Sequence, residues 1–462
     1  MNQRLEVIDL PIPQWGVEEV RLKMIFDNGE EYECSTKNTN DHVLLNCKIQ
    51  ENESNTHGNP LGIMSSNSAY FTIGDYSGLL VKSNTQSPFF GYMRNGVKCI
   101  LEWVDGDNVS HPFGTYYTNG WDNTKREGAF QSANISAQDR LNYIGNLNVP
   151  ELPAFSSIEI SDLLINIFTA IGLESSEYDI DPSLDLTLTF SIVKGAKLRD
   201  TLNSIAQRLL AVITIDRAGI IKIRPAFPEV PQSINSIDCD VVSIGSATLK
   251  QNQYTDYATV QLSFYELGIN NSVTLATVPN NNINQGENVF DNIQLSNKTQ
   301  GIDLVTFEYD VDDENYVDSI DDIEYTGYQG GISVNIDSNN EETLNGIITV
   351  EGRETGDAEV VISADIISAD HKVSNTLFLQ NDYVQNRQQA NQYLALVVDY
   401  IEKIRNSVHF ENAIISYLLE SGQYIRIENA DDWLNGLHYV TGVSFNIGES
   451  YSVNFDTIKF DD

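Results

Sequence analysis

Arg21-Leu22-Lys23-Met24-Ile25-Phe26-Asp27-Asn28-Gly29-Glu30 decides how the chain begins to fold. The run from Arg21 alternates as a strand with one buried face does, and Asn28-Gly29 suits the positive φ of a tight reversal. The pattern predicts a hairpin. Working outward, Val43–Ile49, Ala69–Ile73, Val97–Trp103 and Gly114–Thr118 read as further short strands, each followed by Gly, Asn, Asp or Ser. That rhythm predicts an N-terminal β-barrel or sandwich over residues 1–147.

Asn148-Val149-Pro150-Glu151-Leu152-Pro153 then interrupts it, because two prolines suit neither a helix interior nor a central strand. Beyond this boundary, Ser161 is expected to cap a helix whose Leu163, Leu164, Ile167, Phe168 and Ile171 share one face, with Gly172 ending it. A strand over Leu186–Ile192, a helix over about Leu198–Leu210, and a hairpin turning through Asp216-Arg217-Ala218-Gly219 follow. Residues 148–230 thus read as a mixed α/β module. Residues 231–380 read as a β-region with Asn280–Gly286 as a loop and an acidic β-insertion at about 272–374. Ala390, Tyr393, Leu394, Val397, Ile401 and Ile404 then form the stripe of one long helix over 381–406 that must dock on something. Strand patterns over 407–462 predict a C-terminal β-barrel. The fold class is therefore β-rich α+β: two small barrels, with the α/β module, the acidic insertion and the long helix between them.

The chain's 462 residues exceed what one hydrophobic core usually serves, and its 41% hydrophobic and 20% charged content is that of a folded protein. With 27 Lys+Arg against 66 Asp+Glu the formal net charge is −39, which repels phosphate backbones and anionic membranes. Sequence-specific nucleic-acid binding is not expected. No membrane segment is expected either, since no apolar run approaches the roughly 20 residues a spanning helix needs. Met1-Asn2-Gln3-Arg4-Leu5-Glu6 lacks the basic-then-apolar order of a signal peptide, so synthesis and assembly are expected in a cytoplasm. Cys34, Cys47, Cys99 and Cys239 form no C-x-x-C pair.

The specific catalytic motifs are missing: G-x-S-x-G, H-E-x-x-H, the phosphate loop and the dinucleotide glycine fingerprint. His42, His57, His111, His371, His409 and His438 stand in unlike contexts that suggest packing or surface roles. Asp310, Asp312 and Glu314 alternate as calcium ligands do, but Asn315 stands where such a loop needs glycine, and a solvated acidic surface is the simpler reading. Carboxylate-pair glycoside hydrolysis stays open as a third reading, because 66 acidic residues make any pairing uninformative. Phe89-Phe90-Gly91-Tyr92, Tyr116-Tyr117 and Trp121 suit a strand-borne core better than a sugar platform. No catalytic, cofactor-binding or metal-ligating residue is assigned.

Gly91-Tyr92-Met93-Arg94-Asn95-Gly96-Val97-Lys98, Phe113-Gly114-Thr115-Tyr116-Tyr117 ahead of Trp121, and Ile135-Ser136-Ala137-Gln138-Asp139-Arg140-Leu141 resemble the first barrel of bacteriophage tail and baseplate hub proteins. That family includes the hub of contractile tails and the N-terminal part of siphophage tail-associated proteins. Ser421-Gly422-Gln423-Tyr424-Ile425-Arg426-Ile427 and Leu437–Val443 are similar to its second barrel, with Gln423 where an acidic residue is usual. The resemblance covers most of the chain outside about Asn270 to Ser374. It implies a non-enzymatic homotrimer in the virion tail whose barrels form a ring of six, linking the tail tube or distal tail protein ring to tail tip or spike proteins. The ring would form part of the channel for DNA passage and would meet the tape-measure protein. Since no hydrolase domain is read after the second barrel, cell-wall cleavage is expected from another protein. The alternative is a receptor- or carbohydrate-binding tail-tip protein, with the insertion as its binding module.

Overall fold

The computed structural model describes residues 6–9, 18–37, 42–53, 62–125, 131–150, 152, 155–191, 197–240, 242–251, 257–267, 272–295, 299–309, 320–328, 331–341, 343–366, 375–381, 383–404, 406–448 and 450–460. The first stretch supplies strands β1 (Glu6–Asp9), β2 (Glu19–Ile25), β3 (Glu31–Ser35), β4 (His42–Asn52), β5 (Ile63–Met64), β6 (Ser68–Asp75), β7 (Lys98–Val104), β8 (Ser110–Lys125) and β9 (Gln131–Asp139), then helix α1 (Arg140–Ile144). Seven of these strands close a barrel in the order β4-β3-β2-β7-β8-β9-β6, with β6 returning to β4. The β2–β3 hairpin turns at Gly29, φ 82°, as the Asn-Gly pair predicts. Phe26 stacks on Phe89 at 4.4 Å near Trp121; of the aromatics expected in a strand-borne core, Phe89, Tyr116 and Trp121 are buried, Phe89 from a turn rather than a strand, whereas Phe90 and Tyr92 are exposed.

The α/β module contains β10 (Phe155–Glu159), α2 (Ile160–Ala170), β11 (Tyr178–Ile180), β12 (Thr187–Ser191), α3 (Leu198–Leu209), β13 (Ala211–Ile215) and β14 (Ile221–Pro225). Its two helices bury Leu163, Leu164, Ile167, Phe168, Leu198, Leu202 and Ile205 in one core. Gly172 adopts φ 81° just past α2, as expected, but Ser161 does not cap that helix. The cap position is Glu159, because β10 pairs with β12 through Glu159 and hands the chain directly to the helix. The short β5 leaves the first barrel's segment to pair with β13, anchoring the module.

Next come β15 (Ser233–Asp238), β16 (Ser246–Gln251), β17 (Tyr257–Leu267), β18 (Val273–Ile283), β19 (Gly286–Gln294), β20 (Thr299–Tyr309), β21 (Ile320–Tyr328), β22 (Gly331–Ser338), β23 (Leu344–Asp365) and β24 (Asn375–Gln380). Around a shared core of Ile283, Phe307, Val334 and Ile348 lie two sheets, β18-β23-β20 and β19-β22-β21. Asn280–Ile283, expected in a loop, belongs to β18, because a bulge after Val278 lets Asn281 and Asn282 pair with Gly346 and Asn345 of β23. Strand β23 runs on from this sandwich to pair with β17, which also pairs with β24. Helix α4 (Arg387–Lys403) lays Ala390, Tyr393, Leu394, Val397 and Ile401 on Val260, Leu262 and Phe264, which is the docking its apolar stripe requires. Asp310, Asp312 and Glu314 lie outside the described residues, as do His57 and His371.

The last strands are β25 (Asn406–Ala413), β26 (Tyr424–Glu428), β27 (Gly436–Ile447) and β28 (Tyr451–Lys459). With β15 and β16 they curl into a second barrel, in the order β15-β26-β27-β28-β25-β16. This repeats the first barrel's order β2-β7-β8-β9-β6-β4, with matching strand directions except that β15 runs parallel to β26 where β2 runs antiparallel to β7. Equivalent positions make equivalent bonds: the Gly96 amide donates to the Thr118 carbonyl at 2.7 Å, and the Gly422 amide to the Val440 carbonyl at 2.7 Å. Both glycines have positive φ, 93° and 83°. Phe71 and Phe410 occupy matching buried positions, since Phe71 pairs with Ile135 opposite Trp121 and Phe410 pairs with Phe455 opposite Val443. The second barrel has no counterpart of β3, and among the described residues no ladder joins β15 to β16.

Candidate functional site

The two barrels meet edge to edge. Strand β4 pairs antiparallel with β27 from Asn52↔Gly442 to Cys47↔Ile447, making one continuous sheet of both. Their cores merge as well, with Phe113 of the first barrel 5.0 Å from Phe445 of the second.

At the end of β4, Glu51 and Glu53 are buried. Into this junction the β13–β14 turn inserts Arg217, only 8% exposed. Its guanidinium donates to both Glu51 oxygens, Nε to Oε1 at 2.6 Å and Nη2 to Oε2 at 3.1 Å. It also donates to the carbonyls of Leu419, at 2.8 Å, and Tyr417. Glu420 lies 3.5 Å away, and the rings of Phe113 and Phe445 flank the cation at 4.8 and 5.3 Å. One side chain thus joins the α/β module to both barrels by a planar fork matched to carboxylate geometry. Burial works against its charge, but Glu51 and Glu420 outweigh that penalty and raise its pKa.

A second pin lies beside it. Glu53 accepts from the Tyr439 hydroxyl at 2.8 Å and from Arg224, which also donates to the Gly422 carbonyl at 3.0 Å. A Cβ on Gly422 would strike Arg224 and Glu53, so glycine is needed there both for space and for φ.

Asp139 forms a third tie. It caps α1 by accepting from the Asn142 amide at 2.9 Å and accepts from the Asn67 amide at 2.5 Å. The Asn67 side chain in turn accepts from the Asn52 amide and donates to the Ile215 carbonyl, each at 3.1 Å. Burial pushes the Asp139 carboxyl up to about 6 against the pull of the backbone amides.

Among the described histidines, His438 is buried against Thr457 and the Leu434 carbonyl, His111 stacks on Trp103 beside Asp105, His42 meets Tyr32, and His409 lies between Asp456 and Glu411. They serve packing and local polar pairing in separate places. Among the described residues no group of three or more His, Cys, Asp or Glu is arranged to hold a metal ion. Sequence reasoning did not single out Glu51, Glu53, Arg217 or Arg224; the one available signal was a lone arginine inside the Asp216–Gly219 turn.

The whole arrangement of two like-ordered barrels, module and helix is shared with solved structures. The 43 kDa tail protein of prophage MuSo2 from Shewanella oneidensis aligns over 96% of this chain and 98% of its own, with a TM-score of 0.52 at 9% identity. The chain has the fold of a prophage tail protein. The tail protein from Neisseria meningitidis MC58 aligns equally well, over 96% and 97% of the two chains, at a TM-score of 0.52 and 9% identity. No family model matches the sequence, and no curated protein matches it. Among the described residues no helix is long and apolar enough to cross a membrane.

Proposed function

We propose that this chain is a structural, non-enzymatic component of a phage tail: a trimeric hub of the baseplate or tail tip. Three chains, each contributing two barrels, close a ring that can match a six-fold tube on one face and a three-fold tip on the other. Its neighbours on this reading are the tail tube or distal tail protein ring, tail tip or spike proteins and the tape-measure protein. DNA leaves through its channel, and the net charge of −39 limits adhesion of the passing phosphates. The protein acts in the virion tail after assembly in the host cytoplasm. Its working units on this reading are residues 1–147, 148–230, 231–380, 381–406 and 407–462, with β15 and β16 of the third unit completing the barrel of the last.

One observation carries the reading: two barrels of the same strand order, fused through the β4–β27 ladder and locked by Arg217. The fold likeness to prophage tail proteins supports it. The mass of the purified full chain in solution tests it. A trimer is expected, and a monomer persisting at high concentration contradicts it.

A further inference from the structure

The repeated strand order allows the contact inside the chain to be transferred to the contact between chains. Aligning β8 with β27 through their matching bulges, between Thr118 and Gly120 and between Val440 and Gly442, places Asp122 on Ser444, Asn123 on Phe445 and Thr124 on Asn446. Aligning β4 with β16 through their partners β6 and β25 places Gln50 on Lys250, Ile49 on Leu249 and Lys48 on Thr248. Within the chain, β27 uses residues 442–447 to pair with β4. Among the described residues no ladder covers the equivalent edges: the β7 side of β8 is paired only as far as Thr118, and β16 pairs only with β25.

These edges show the marks of a missing neighbour. Leu249 is 52% exposed, whereas its counterpart Ile49, covered by β27, is 0% exposed. Asp122, Asn123 and Thr124 on one edge and Thr248 and Lys250 on the other are also exposed. An uncovered, regular strand edge is a template for pairing with another chain.

We infer that residues 121–125 of β8 in one copy pair antiparallel with residues 247–251 of β16 in the next copy, with Asn123 opposite Leu249. The transferred register sets Asp122 opposite Lys250 and Thr124 opposite Thr248, so a charge pair and a hydroxyl pair fall directly across the ladder. In a chain with 66 acidic and 27 basic residues, an acid meeting one of the few lysines is charge complementarity at the point where register is fixed. Three such ladders alternate with the three internal β4–β27 ladders to close the ring. The inference rests on the hub reading above and names the surface through which each copy finds the next.

Cysteine cross-linking of the full chain tests it. Under mild oxidant, Thr124→Cys/Thr248→Cys should give a reductant-sensitive, denaturant-resistant species of three chains. Thr124→Cys/Lys250→Cys, whose partners lie on a diagonal about 7–8 Å apart, should not. Asp122→Lys should weaken assembly several-fold, and Asp122→Lys/Lys250→Asp should restore it. If the wild-type chain is a trimer but the directly opposed Thr124→Cys/Thr248→Cys variant fails to link, or the Thr124→Cys/Lys250→Cys variant links better, this pairing is overturned and the hub reading stands. A wild-type chain that never leaves the monomer overturns the hub reading and the pairing with it.

Discussion

Arg217 shows how much can rest on one side chain. Removing it leaves Glu51 buried without its cation, along with two carbonyls that lose their donor. Breaking a buried pair from one side costs about 3–5 kcal/mol, so Arg217→Ala should lose that much in urea denaturation; a loss below about 1 kcal/mol would contradict the pin. Asp139 gives the second residue-scale prediction. Its folded pKa, about 6, lies above the ordinary 3.8, so the folded state holds the extra proton between those values. Its contribution to stability is therefore full below about pH 4 and is lost as pH rises through 6, by roughly 2–3 kcal/mol. Asp139→Asn, which can still cap α1, should gain on wild type over that interval when melting is compared from pH 4 to 6. Parallel pH profiles would contradict the assignment. Neither role was legible in the sequence: an arginine in a turn and an aspartate at a strand end read as solvated, and the groups that accept hydrogen bonds from Arg217 lie 166 to 202 positions away.

At the scale of elements, local signals carried well where packing merely reinforced them. The alternation of Arg21–Phe26, the stripe on α4 and the glycine after α2 all stand where their periodicity and turn chemistry put them. They failed where strand pairing overrode composition, as in Asn280–Ile283, whose polar side chains conceal a ladder with β23. The acidic sandwich is the element with most autonomy, since its core is separate and β23 carries it out of the β17 sheet. Leu267 faces Thr355 across that sheet, so the two strands can be rejoined there by a tight turn. Replacing residues 269–353 with Asn-Gly should therefore preserve cooperative unfolding and the oligomer, as read by calorimetry and mass. Dissociation into monomers would make the sandwich part of the ring, and loss of host-cell retention would favour the tail-tip adhesin.

For the whole molecule, the order of parts was readable because each barrel is announced by short strands and the segments between them by prolines, helical stripes and acid. Their union was not readable. The β4–β27 ladder joins residues nearly 400 positions apart, and the second barrel draws β15 and β16 from before the insertion, so no local window contains the pairing. The consequence of that union is a protomer with one strand edge satisfied internally and two left open, the geometry of a ring segment. Electron microscopy of the purified full chain at high concentration is the direct measurement: the account predicts closed particles of three chains with six similar lobes around an open centre, and isolated protomers or rings of another copy number would contradict it.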